Sequence, residues 1–385
     1  MLNRLVSRRR ALWLGLGSLT SVGTIATATG CQNYKRSLDN PQRNFKVVGN
    51  ATLGKRADTK GLIYGAAGGA DRLSSNPTFA TRFAQECRIL VPEGELKWVA
   101  LRPSPDKFDF TKADWLAKFA QQNGMLFRGH NLVWYQALPD WFNEIVNHQN
   151  AEKFLVEHIT TVTKHYAGQI HSWDVVNEGI EPEYGRSDGL QYSPWLNFLG
   201  PDYVELAYRV AAEADPKALL VYNDAMLEYD TPKNEAKRTA VLKLLERLKS
   251  KGTPIHALGI ESHLLGDETR FNPKKLRKFL ADVASLGLKI LITELDVVDQ
   301  KLPLSPVVRD RIVAGIFEDY LSVVLDEKAV IAVLTWGLSD RYTWNSQYNA
   351  RPDGKPVRPL PLDSNFKPKL AWNAMARAFD RASKR

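Results

Sequence analysis

Two glutamates close strand-like runs in this chain. "WDVVNE" (Trp173–Glu178) is apolar and β-branched until it ends in an amide and an acid, and "ILITELDV" (Ile290–Val297) carries Glu294 near its end. Buried strands seldom carry an ionisable group without a reason, so acids at these positions are candidates for chemistry. Two carboxylic acids facing across a cleft suit glycoside hydrolysis. At about 5–5.5 Å apart, one attacks the anomeric carbon while the other protonates the leaving oxygen, and configuration is retained. A gap of about 6.5–9.5 Å admits a water and predicts inversion. The two roles need acid strengths pushed apart. Asp296 stands two residues past Glu294, on the same side of the strand, and His263 is expected beside it. Such a hydrogen-bonded, partly cationic setting keeps Glu294 ionised as nucleophile. Glu178 follows an apolar run and is expected to keep its proton longer, as acid/base.

The elements that would position these acids alternate along the chain. Strands are read at Gly61–Ala67, Cys87–Glu93, Leu126–Trp134 and Ile170–Glu178, then at Leu219–Asp224, His256–His263, Lys289–Val297 and Val330–Gly337. Each is a short apolar or β-branched run, as in a parallel strand buried on both faces. Amphipathic helices fill the gaps. "TKADWLAKFAQQNG" has Thr111 as a candidate cap and closes on Gly124, and "NPKKLRKFLADVASLG" has Asn272 as cap, Pro273 in the first turn and Gly287 past the end. A third helix follows the same plan from Ser305. Eight βα units without an internal repeat predict one closed (β/α)8 TIM barrel over residues 61–385. An open doubly wound sheet is the runner-up, but "YGAAGGADRL" lacks the GxGxxG spacing of its phosphate turn. In a barrel, active residues project from the C-terminal strand ends. The polar residues there are Glu93, His130, Asn177, Glu178, Asn223, Asp224, Glu261, His263, Glu294 and Trp336, from seven strands. Lys97, His130, Asn177 and His263 can bond sugar hydroxyls, and Trp134, Trp336 and Trp344 offer flat apolar faces to pyranose rings.

Composition narrows the class. Of 385 residues 44% are hydrophobic and 25% charged, as in a soluble globular protein with a large core. The net charge of +9 is concentrated in Arg4, Arg8, Arg9, Arg10, Lys35, Arg36 and Arg43, ahead of the barrel, and the scattered remainder gives no case for a nucleic-acid partner. Residues 1–31 have a basic start, "SRRRAL", then an apolar stretch and small residues before Cys31, which predicts an export signal of twin-arginine type with Cys31 as a candidate lipidation site. The expected location is the periplasm or the outside of the cell, with membrane anchoring through Cys31 if lipid is attached. Residues 32–60 read as a polar tether. Cys87, the other cysteine, sits in an apolar strand as a small hydrophobe. No CxxC or HExxH zinc pattern occurs, so no metal is expected.

The motifs together resemble a known family. "KW" followed by "FDFTKAD", "RGHNLVW", "WDVVNE", "ITELDV" and "TWG" stand in the order and barrel positions of glycoside hydrolase family ten, the retaining endo-β-1,4-xylanases, from about Gly61 to the C-terminus. The resemblance implies that Glu178 is the acid/base and Glu294 the nucleophile, with Asp296 in support. It also implies that Glu93, Lys97, His130, Trp134, Asn177, Asn223, Glu261, His263, Trp336 and Trp344 bind substrate, that no cofactor is needed, and that the enzyme is a monomer acting on xylan. Several positions depart from the pattern. Gly94 stands where the family commonly has Asn, Glu261 where it has Gln, Ala225-Met226 where it has Tyr-Asn, and Tyr135 where it has His. A retaining hydrolase of a related β-1,4-glycan is therefore one alternative, and a non-catalytic polysaccharide-binding barrel is another. A metal-dependent barrel hydrolase is disfavoured, because strand one, "GLIYGAAGG", contains no histidine.

Overall fold

The computed structural model describes residues 41–267 and 271–385. The expected export signal, Cys31 and the first part of the tether lie outside the described residues. Among the described residues nine strands form: β1 (Ile63–Gly68), β2 (Ile89–Pro92), β3 (Leu126–Val133), β4 (Ile170–Asn177), β5 (Leu219–Asp224), β6 (Ala257–Ile260), β7 (His263–Leu265), β8 (Lys289–Val298) and β9 (Val330–Thr335). The pairs are parallel, and the ring closes where β6 pairs with β8 and β9 with β1. The result is the expected (β/α)8 barrel.

Side chains from many strands fill its interior. Ala67, Ile89, Val91, Val221, Ala257, Leu291, Ala332 and Leu334 pack with Trp336. Gly129 has no alternative residue: a Cβ there would lie 2.0 Å from the buried indole of Trp173 on the neighbouring strand. Outside the ring, the helices start as the sequence indicates. Asn272 accepts the backbone N–H groups of Lys274 and Lys275 at the head of Pro273–Ser285. Thr231 caps Pro232–Ser250 by accepting from Asn234. Thr111 differs: it is the first residue of the helix Thr111–Gln122 rather than its cap, and Asp109 accepts its N–H instead (2.9 Å). Ser305 holds the cap position of Pro306–Val324 without a side-chain bond.

Two segments differ from expectation in ways that matter. The strand read as His256–His263 is divided. Ser262 adopts a left-handed backbone (φ 64°), its N–H donates to Glu228 (3.1 Å), and its hydroxyl bonds that of Tyr320 (2.6 Å). Beyond this break, β7 pairs with the far half of β8, and His263 comes opposite Asp296.

The second difference corrects the tether. Residues from 43 onward pack against the barrel. Arg43 pairs with Glu318 (2.8 Å) and Asp319 (2.7 Å), and Phe45, Leu53 and Ala57 are buried. The Leu53 N–H donates to the buried Glu86 carboxylate (2.9 Å) at the start of the helix Leu53–Asp58. Arg56 is buried with its guanidinium bonded to Ala51 O, Val48 O and Asp380. The segment reads as polar because its charged and polar residues together outnumber its apolar ones, yet Arg43 and Arg56 are bonded to carbonyls and carboxylates of the domain.

Leu53 therefore tests whether this segment belongs to the domain. Leu53→Ala should lower the unfolding free energy by about 2–5 kcal/mol, as for other buried leucines, in an equilibrium denaturant titration. A loss below about 0.5 kcal/mol, the scale of surface changes, would return the segment to a tether.

Candidate active site

Glu294 sits near the middle of β8, 5% exposed, and both its oxygens are held. Oε1 accepts from the Asn223 amide on β5 (3.0 Å), and Oε2 lies 3.2 Å from His263 Nε2. The other ring nitrogen of His263 contacts Asp296 (3.0 Å), whose second oxygen accepts from Trp344 Nε1 (2.7 Å) and Asn345 Nδ2 (2.9 Å). Burial opposes a charge on His263, but Asp296 and Glu294 together keep its proton on well above the usual imidazole range. Burial likewise opposes the charge on Glu294. The hydrogen bond from His263 and the fields of His130, His263 and Lys97 outweigh it, so the carboxyl is held below its ordinary value. Glu294 is thus an ionised, aimed carboxylate. The expected placing of Asp296 and His263 beside it is what the structure shows.

Asn223 links this acid to the other one. Its side chain is fully buried, with its nitrogen on Asn177 Oδ1 (2.8 Å) and Glu294, and its oxygen accepting from Thr293 Oγ1 (2.7 Å). Its backbone carbonyl accepts the Glu178 N–H (2.9 Å). Asn223 thus lies within the wall, where its polar atoms bond Asn177, Glu294 and Thr293. Glu178 follows the last residue of β4 in a left-handed conformation (φ 49°) and lines a cleft with Trp134, Tyr135, Asn177, Gln191 and Trp195. Next to it Asp224 forms a buried pair with Lys237 (2.8 Å).

The remaining candidates gather on the same rim. Lys97 Nζ lies over the rings of Trp134 (5.0 Å) and Trp336 (5.9 Å), within cation–π range. His130 stands edge-on to Trp336 and 3.9 Å from Glu294 Oε1. Trp344 packs against His263, with ring centroids 4.8 Å apart. Glu93 is paired with Arg72; burial raises its pKa above the usual carboxylate value despite the opposing Arg72 and Lys97. Glu261, 3% exposed, lies beside Glu294 and also meets Asn223 (3.3 Å).

Sequence reasoning missed the supports of these groups. Asp174 holds His130 Nδ1 (3.0 Å) and pairs with buried Arg128, which also donates to Ser172 (2.8 Å). His130 and Asp174 are direct register partners on β3 and β4. An acid and an arginine inside two neighbouring apolar strands were a readable signal, since buried charges need partners. Arg72, Lys237, Thr293 and Asn345 carried no comparable mark.

If His263 holds Glu294 ionised, His263→Asn removes the imidazolium and its charge. The Glu294 pKa then rises, and the acidic limb of kcat/KM should move to higher pH by about 1–3 units, the usual reach of a close opposite charge. A limb that stays in place while activity falls would contradict this electrostatic role.

Comparison with known proteins agrees with the fold. A model of glycosyl hydrolase family 10 matches residues 52–378. A β-1,4-xylanase of Dictyoglomus thermophilum is 34% identical over 292 residues, 74% of this chain and 79% of that protein. Endo-1,4-β-xylanase B of Thermotoga neapolitana is 33% identical over 294 residues, 76% and 80% of the two chains. Among solved structures, native xylanase 10B from Thermotoga maritima superposes with a TM-score of 0.78 at 31% identity, over 86% of this chain and 98% of that one. Xylanase 10B from Thermotoga petrophila RKU-1, in complex with xylobiose, gives the same score and identity over 87% and 99%. The chain belongs to glycosyl hydrolase family 10.

Proposed function

We infer that this chain is an endo-1,4-β-xylanase that hydrolyses internal bonds of xylan with retention, using Glu294 as nucleophile and Glu178 as acid/base. The observation that carries the reading is the doubly held, ionised Glu294, with Glu178 attached through its backbone to the same Asn223. In the first step a Glu294 oxygen bonds the anomeric carbon as Glu178 gives its proton to the leaving oxygen. In the second, Glu178 takes a proton from water, which displaces the Glu294 ester. His263 restrains Glu294 in both steps, and Lys97, His130, Asn177 and the tryptophans bind the chain.

Two observations favour a second substrate reading. Nothing lies within 4 Å of where a Gly94 Cβ would stand, so the amide common in the family is replaced by open space. Met226, partly exposed with a left-handed backbone (φ 63°), follows Ala225 where an aromatic ring is common. Both changes weaken sugar contacts and favour tolerance of a related β-1,4-glycan. The twin-arginine-like start supports export, with lipid on Cys31 as the anchor. Cys31→Ser should then move the enzyme from the membrane to the soluble fraction.

Glu178→Gln and Glu294→Gln should each lower kcat/KM on soluble xylan by about 10²–10⁴ or more while the fold is retained. NMR of the wild-type digest should show the β-anomer first. Binding to xylan without release of reducing ends, unchanged in Glu178→Ala, would make this a binding barrel instead.

A further inference from the structure

Glu261 brings a third carboxylate into the site. Its nearest ligand atoms, those of His263 and those of Glu294 all fall within 4.8 Å of one another. It competes with Glu294 for the same two donors and is the more distant from both. Asn223 Nδ2 is 3.0 Å from Glu294 and 3.3 Å from Glu261, and His263 Nε2 is 3.2 Å from Glu294 and 3.8 Å from Glu261. The Asn223 amide has two hydrogens, and Asn177 Oδ1 already lies closer to it (2.8 Å). A second anion here would therefore be poorly compensated, almost fully buried and beside a like charge.

We propose that Glu261 carries a proton in the working enzyme, so that it and Glu294 hold one negative charge between them and Glu261 serves as a neutral donor beside the nucleophile. It is a positioning residue, and the proposal rests on the assignment of Glu294 and Glu178 above. The groups around it favour this state. Burial acts most against a charge on Glu261, followed by Glu294 on β8, Glu178 on the β4 side when ionised, and Asp224 on β5; His263 and the long Asn223 hydrogen bond act for one. Asp224 is itself paired with Lys237, Asp296 is bound to His263, and Glu228 is occupied by the Ser262 N–H. No cation is left over for Glu261 among these groups.

The same balance holds through the reaction. When Glu294 forms its bond to the sugar carbon, its charge is lost, while Glu178 becomes anionic on giving its proton to the leaving oxygen. Of the two catalytic acids, one is therefore anionic beside Glu261 before and after that step, and Glu261 keeps its proton across both. An amide in this position would donate in the same way.

Infrared spectroscopy tests this without relying on turnover. At a pH where the wild type is active, the difference spectrum of E178Q and the E178Q/E261Q double variant should contain a protonated-carboxyl C=O band that belongs to Glu261. The wild type and E261Q should give the same band if E178Q folds poorly. Absence of the band in both pairs overturns the proposal, whatever the substrate proves to be. Rates give a second readout. Replacing a neutral acid by a neutral amide should leave the acidic limb of kcat/KM in place and alter only the alkaline limb, where Glu261 would ionise in the wild type. If Glu261 is instead a standing anion, E261Q removes its charge and the acidic limb moves to lower pH. That shift, or a profile unchanged in both limbs, contradicts the proposal.

Discussion

The site depends on keeping one charge on a carboxylate that the barrel encloses. Removing an ionised carboxylate from water costs several kcal/mol unless hydrogen bonds and opposite charge replace the lost hydration. Glu294 receives both: an amide on one oxygen and a protonated imidazole on the other. The imidazole keeps its proton because Asp296 sits on its far side, and Asp296 is in turn satisfied by Trp344 and Asn345. The chain of contacts runs from the nucleophile outward to an indole that is itself a candidate sugar platform. Binding and charge placement are therefore supported by the same side chains.

A parallel network stabilises the opposite wall. Arg128, Asp174 and His130 lie on adjacent strands, all buried, with His130 opposite Asp174 in register. Such a network is costly if any member is removed, because the survivors are left charged or unpaired. It fixes the ring of His130 against Trp336 and near Glu294. The barrel supplies rigidity, since β3, β4, β5 and β8 position these groups through their ladders rather than through loops.

Much of this arrangement was legible in the sequence. A polar residue that interrupts an apolar strand at its end has few explanations, and the barrel's C-terminal rim gathers such residues. Glu178, Glu294, His263 and Asp296 were readable for that reason. Asn223 was found by the same rule, but residue type does not reveal that its side chain would bond Asn177, Glu294 and Thr293 inside the wall. The division of strand six at Ser262 was hidden, since "GIESHL" has the composition of one continuous strand and only a left-handed serine betrays the break. Residues 43–60 were misread for a different reason. Arginine is counted as solvent-seeking, yet Arg43 and Arg56 bond to internal acids and carbonyls across distances that sequence cannot show.

The most direct measurement is to trap the covalent intermediate with a slow, fluorine-substituted xylobioside and map the labelled peptide by mass spectrometry. The account predicts one sugar per chain, esterified to Glu294, and no label in Glu294→Gln. A label on Glu178 or Glu261, or continued hydrolysis by Glu294→Gln at the wild-type rate, would contradict it.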